Sequence, residues 1–259
     1  MNEIAAPLTE SLPLLAVQAM LLFCRIGACC MLLPGLGEAE VPAPLRLALP
    51  LGLVVLLHPG LSPALSVPDS APGLVRLIAF EVAIGLFLGW LARLAALAFA
   101  MAGQIIGFMI GLSNVLAQDV AMAGAGSSLS RFLGLAAAAI VLSSGLYALP
   151  IRALAESYAA LPPGAALPIE MLTQDFGAAV AWSLGLAMRL AAPFVLLSLL
   201  VQLLGGLVGR VAPQTQAFIL AAPAQAILGL LLLGLMLPLL MRHWTDAVQE
   251  AWQILPGLG

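Results

Sequence analysis

Arg25, Glu81, Arg93 and Arg189 each lie inside a stretch built otherwise from Leu, Ala, Val, Ile and Gly. A guanidinium at the centre of a membrane span costs about 2.5–3.5 kcal/mol on insertion scales. The ten Leu, Ile, Val and Phe residues between Leu12 and Leu33 offset this by roughly 3–6 kcal/mol, so the span around Arg25 still inserts. Each such charge nevertheless needs a carboxylate, a set of carbonyls or a wet cavity. We therefore read Arg25, Glu81, Arg93 and Arg189, with Arg46 and Arg210 at the ends of apolar stretches, as buried charges that hold an assembly together.

Other chemistry is not encoded. His58 and His243 have no Cys, Asp or second His at metal-ligand spacing, so no metal site is expected. Ser127 and Ser128 follow Gly126 as a nucleophile turn would, but no histidine within an apolar stretch could serve as base. Aspartyl catalysis needs two buried carboxylates, whereas Asp69, Asp119, Asp175 and Asp246 all fall in connectors or the tail. There is no phosphate-binding loop. Neither catalysis nor a cofactor is expected. Cys24, Cys29 and Cys30 share one apolar stretch at a spacing that fits no zinc or redox motif, and read as small apolar fillers.

The elements that position these groups follow from hydropathy. The 259-residue chain is 63% hydrophobic and 8% charged, with a mean hydropathy of +1.14. A soluble domain carries about 25% charged residues, so most of this surface must meet lipid or protein. All nine basic residues are Arg, the side chain suited to fixed pairing with carboxylates and carbonyls. The net charge of -3 is spread out and leaves no footprint for nucleic acid. The start, Met1-Asn2-Glu3, lacks the positive region of a cleaved signal peptide.

Apolar stretches run Leu12–Leu33, Leu45–Leu61, Leu74–Leu112, Phe132–Pro150, Ala178–Leu204 and Ala217–Met241. About 20 apolar residues cross roughly 30 Å of hydrocarbon, so an all-α integral membrane protein with about six spans is expected, as one membrane domain over residues 1–259. Pro50, Pro193, Pro223 and Pro238 interrupt the stretches and predict kinks or breaks. Leu74–Leu112 as one helix would reach about 58 Å; it must break, re-enter or rise out of the bilayer. Arg76, Arg152 and Arg242 flank one side of a six-span zigzag and Arg46, Arg131 and Arg210 the other, so the positive-inside rule gives no orientation.

The long third stretch carries a stripe of small residues. Gly85 and Gly89 fall between Glu81 and Arg93 at intervals of four, and Gly103, Gly107 and Gly111 repeat that interval. Such stripes let helix backbones approach closely, and the spacing leaves open whether the neighbour is this chain or a partner. The connector from Ser113 to Ser130 is small and mildly polar, and reads either as a surface turn or as a loop that occupies a pore.

Several of these segments, in order, match a known family. The run Phe23-Cys24-Arg25-Ile26-Gly27, then Pro34-Gly35-Leu36-Gly37, Val41-Pro42 and Arg46, resembles the N-terminal signature of the FliR family. Glu81-Val82-Ala83-Ile84-Gly85 with Gly89, Ala102-Gly103-Gln104-Ile105-Ile106-Gly107 and Gly111-Leu112-Ser113 continue the resemblance, as do Arg189 with Pro193 and Gly205–Gln214. Departures fall at Ser144–Tyr147, where the family is more polar, and at Thr215-Gln216 in place of a Met-Asn-like pair.

The resemblance implies kinked and broken helical hairpins, with residues 1–176 similar to FliP and 177–259 to a FliQ hairpin, built for a helical hetero-oligomer. It implies an export-gate subunit in the inner membrane of the flagellar basal body, with FliP-like, FliQ-like and FlhB-like partners and unfolded export substrates. It also implies that Ser113, Asn114, Val115, Leu116, Gln118, Asp119 and Met122 belong to a loop, 113–126, that helps to plug the pore. The alternatives are the homologous subunit of a virulence-type injectisome and a stand-alone small-molecule permease.

Overall fold

The computed structural model describes residues 2–61, 68, 70–111, 128–165, 168–211 and 217–253. Among these, every regular element is helical: α1 (Asn2–Leu32), α2 (Ala43–Leu61), α3 (Ala71–Met109), α4 (Ser128–Ser144), α5 (Ala148–Ala160), α6 (Ile169–Val211) and α7 (Ala217–Gln253). Among the described residues, five helices are long and apolar enough to cross a membrane, or six if the bent pair α4 and α5 forms one span. The protein is a multi-pass, all-α membrane protein.

Prolines do not set the breaks. Pro50 and Pro59 lie inside α2, Pro193 inside α6, and Pro223 and Pro238 inside α7, and helical structure continues through all of them. A proline removes one backbone donor, and helices of 43 and 37 residues keep many intact hydrogen bonds on either side. The break falls instead between Ser144 and Ala148, where α4 and α5 meet at 74°. Gly145 supplies it with φ +78°, a conformation that L side chains rarely adopt. The Gly145 carbonyl then accepts from Ala148 N at 3.1 Å as the new helix begins. Pro150 sits in the first turn of α5, where a missing donor costs nothing.

The third apolar stretch does not break. α3 runs 39 residues without interruption, about 58 Å at 1.5 Å per residue. One helix therefore presents two successive packing surfaces.

The chain divides into two compact units. The first comprises Met1–Arg93, Val141–Gly177 and Glu250–Gly259; the second comprises Leu94–Ile140 and Ala178–Gln249. In the first, Leu21, Leu22 and Ile26 of α1 and Leu154 of α5 are fully buried. In the second, Phe99 and Ile106 of α3, Leu133 of α4, Phe194 of α6 and Trp244 of α7 are fully buried. There Phe99 stacks on Trp244 with ring centroids 5.2 Å apart, and the Trp244 indole N–H donates to the Ala95 carbonyl at 2.9 Å.

Candidate functional site: a sealed charge cluster

Arg25 is the centre of the first unit. Its side chain and that of Glu81 are both fully buried. Arg25 Nε donates to Glu81 Oε2 at 2.8 Å and Nη2 to Glu81 Oε1 at 3.0 Å, a two-pronged pairing of α1 with α3. Nη2 also donates to the Leu161 carbonyl at 2.9 Å, and Nη1 to the Ser157 carbonyl at 3.2 Å and the Ser157 hydroxyl at 3.3 Å. A guanidinium has five N–H donors, and these five contacts use all of them.

The acceptor set is itself prearranged. The Ser157 hydroxyl gives its own proton to the Leu154 carbonyl at 2.6 Å, which leaves its lone pairs toward Arg25. The ring of Tyr158 lies 4.1 Å from the guanidinium carbon, close enough for a cation–π attraction. Its hydroxyl reaches back to the Leu22 carbonyl at 3.5 Å. The cluster thus joins α1, α3, α5 and the turn after α5.

Close backbone approach makes the pairing possible. A Cβ at Gly85 would lie 2.9 Å from the Ala28 Cβ and closer still to the Arg25 carbonyl oxygen. One at Gly89 would lie 2.8 Å from both the Cys29 carbonyl oxygen and the Leu32 Cβ. These two glycines seat α3 against α1, one and two turns beyond Glu81. In the second unit, Gly103 meets α4 in the same way, with Leu129 O and Ser130 Cα each 2.9 Å from its would-be Cβ. Gly107 is buried. Gly111 has φ +78° with open space around it, just beyond the end of α3.

The remaining charges differ among themselves. Arg93 stands on the same stripe as Glu81 but pairs with Glu38, at 2.6 Å and 3.1 Å, in a half-buried two-pronged contact. Glu38 follows the Pro34–Gly37 turn, and sequence reasoning did not single it out; an acidic residue just after a tight turn was the available signal. Arg46 is partly buried at the start of α2, while Arg189 and Arg210 are exposed on α6. The second unit has its own polar contact: the Gln225 amide donates to the Ser198 hydroxyl at 3.0 Å and to the Met109 carbonyl. Residues 113–126 lie outside the described residues. Cys24, Cys29 and Cys30 are free thiols.

Chemically, the Arg25 cluster is closed. Both charges are inaccessible to solvent and every donor is used, so no substrate or exchanging proton has a place in it. What it can do is fix three helices and a turn in one arrangement.

Comparison with known proteins follows the same residues. The family described as bacterial export proteins, family 1, matches residues 16–251. The chain is 35% identical to the flagellar biosynthetic protein FliR of Caulobacter vibrioides over 237 residues, covering 91% of this chain and 94% of the relative. It is 28% identical to the protein of the same name from Escherichia coli, over 87% of this chain and 86% of the relative. The Yop proteins translocation protein T of Yersinia pestis is 26% identical, over 88% of each chain.

Proposed function

This chain belongs to the bacterial export proteins, family 1, and from that premise we propose that it is a non-enzymatic subunit of the flagellar type III protein export gate. In this reading it sits in the inner membrane with FliP-like and FliQ-like partners, and with a FlhB-like subunit. Together they form the pore that passes unfolded flagellar substrates. Residues 1–176 take the FliP-like role and 177–259 the FliQ-like hairpin. Loop 113–126 helps to close the pore.

The observation that carries the flagellar assignment is the match of 35% identity over almost the full length of both chains. The surface supports an assembly. α6 exposes Leu196, Leu199, Leu200, Leu203 and Leu207, and α7 exposes Ile227, Leu231 and Leu235. Exposed Arg189 and Arg210 stand on α6 as well. An Arg on an apolar helix needs an acceptor, and a neighbouring subunit would bring one.

The injectisome reading stays in view because a translocation protein of Yersinia matches over 88% of the chain. Coexpression with the FliP-like and FliQ-like proteins of the same cell, against their injectisome counterparts, separates the two: the flagellar set is expected to co-purify. A folded monomer that ignores both sets overturns the gate reading. For the loop, deletion of Leu116–Ala123 within the complex is expected to make closed gates leak ions. Unchanged permeability removes the plug role.

A further inference from the structure

A second cationic site lies apart from the sealed cluster. A cavity of about 490 Å³ in the first unit is lined by Arg46 together with Cys30, Leu36, Val41, Leu49 and Leu142 among others. That volume is within the roughly 300–1,000 Å³ of ligand-sized pockets. Among the described residues, Arg46 is the only charged group in its lining. Its Nε is buried, and none of the described residues accepts a hydrogen bond from it. Glu38, on the connection that leads into α2, is already engaged by Arg93.

The contrast with Arg25 is instructive. There all five donors meet acceptors from the same chain, whereas here a permanent cation lines an apolar chamber and its buried Nε has no acceptor among the described residues. Leaving such a donor unmet is expensive, and an anion from outside would meet it. The apolar walls require that the same occupant carry hydrocarbon.

Position narrows the choice. α2 has 19 residues, about 28 Å at 1.5 Å per residue, close to the hydrocarbon thickness. Arg46 is the fourth residue of that helix, within one turn of its end, where a headgroup would lie if α2 crosses the bilayer. Leu45, Leu47, Leu51, Val55 and Leu56 face outward along α2 as an apolar surface. Basic pockets between membrane helices bind anionic headgroups in this way. We propose that the Arg46 cavity holds an anionic phospholipid, its phosphate on the guanidinium and its first acyl carbons against Leu36, Val41, Leu49 and Leu142.

The test uses the full chain, purified in the complex with which it is extracted. Native mass spectrometry follows retained lipid after incubation with phosphatidylglycerol, cardiolipin or phosphatidylcholine, each against inorganic phosphate as competitor. Anionic lipid is expected to be retained selectively and to survive phosphate. Retention is expected to fall by about tenfold in Arg46→Gln, the scale of one charge-assisted hydrogen bond, and only partly in Arg46→Lys. Ala48→Phe leaves the guanidinium in place while filling the cavity that Ala48 also lines; it is expected to lose the lipid too, which guards against a folding defect in Arg46→Gln. Equal retention of phosphatidylcholine, or retention unchanged in both Arg46→Gln and Ala48→Phe, overturns the site. Displacement by inorganic phosphate alone makes it a bare phosphate site and overturns the lipid assignment. So does a photocrosslinker at Leu49 that captures a protein chain instead of lipid.

Discussion

The helices around Arg25 and the helices α6 and α7 handle polarity in opposite ways. Of the most apolar stretch of α3, 61% is buried within the chain, against 17% for α6 and 11% for α7. Arg25 finds every acceptor inside its own unit, whereas exposed Arg189 finds none among the described residues. The first region closes on its own side chains; the second leaves most of its apolar face uncovered by this chain. The difference teaches that a charge in an apolar helix does not by itself announce an interface. What counts is whether its donors are already used.

The most severe way to probe this contrast is to break the Arg25 pair. Glu81→Ala strands a buried guanidinium, which costs about 3–5 kcal/mol, a large share of the 5–15 kcal/mol that typically holds a domain together. Loss of monodisperse protein after extraction, followed by size-exclusion fluorescence, is the expected result. Replacing both partners, Arg25→Met with Glu81→Met, removes the unpaired charge and is expected to restore much of the yield. A double variant as damaged as Glu81→Ala alone would mean that shape, not charge, governs the site.

Glycines sharpen the same comparison at a lower level. Gly85→Ala pushes a methyl group into the Arg25 carbonyl, an overpacking penalty of about 1–3 kcal/mol. Gly206→Ala on α6 meets nothing within 4 Å and is expected to be neutral or to gain about 0.5–1 kcal/mol from reduced chain entropy. Melting midpoints in one detergent measure both. Equal midpoints would show that α3 and α1 can part without loss.

Hydropathy made the membrane fold and the approximate span count legible. It also marked Arg25 and Glu81 as charges in need of partners, because the cost of a charge in an apolar stretch depends on local sequence alone. Their pairing was not legible. The two are 56 positions apart, and Arg93, on the same four-residue stripe as Glu81, pairs instead with Glu38. At Pro50, Pro193, Pro223 and Pro238, where kinks or breaks were expected, helical structure continues, because a long helix absorbs one lost donor. Gly145 made the real break, inside a stretch read as one span. The stripe from Gly85 to Gly103 left its neighbour open because periodicity gives a face and not what covers it; at Gly85, Gly89 and Gly103 that neighbour is this chain's own backbone.

Arg93 and Arg189 complete the series with the smallest effects on the chain itself. Arg93→Gln breaks a half-buried two-pronged pair with Glu38, and solvent screening limits the loss to about 1 kcal/mol. Arg189→Gln removes an exposed side chain with no partner among the described residues, so the stability of the isolated chain, read from its melting midpoint, should change by no more than about 0.5 kcal/mol. Under the proposed function the same substitution should nonetheless reduce co-purification of FliP-like and FliQ-like partners, because the guanidinium's acceptors come from them. Arg93→Gln should do the reverse, lowering the midpoint while leaving partner yield intact. If Arg189→Gln destabilises the isolated chain and spares the assembly, then α6 is stabilised from within, and the division between a finished core and an unfinished face is wrong.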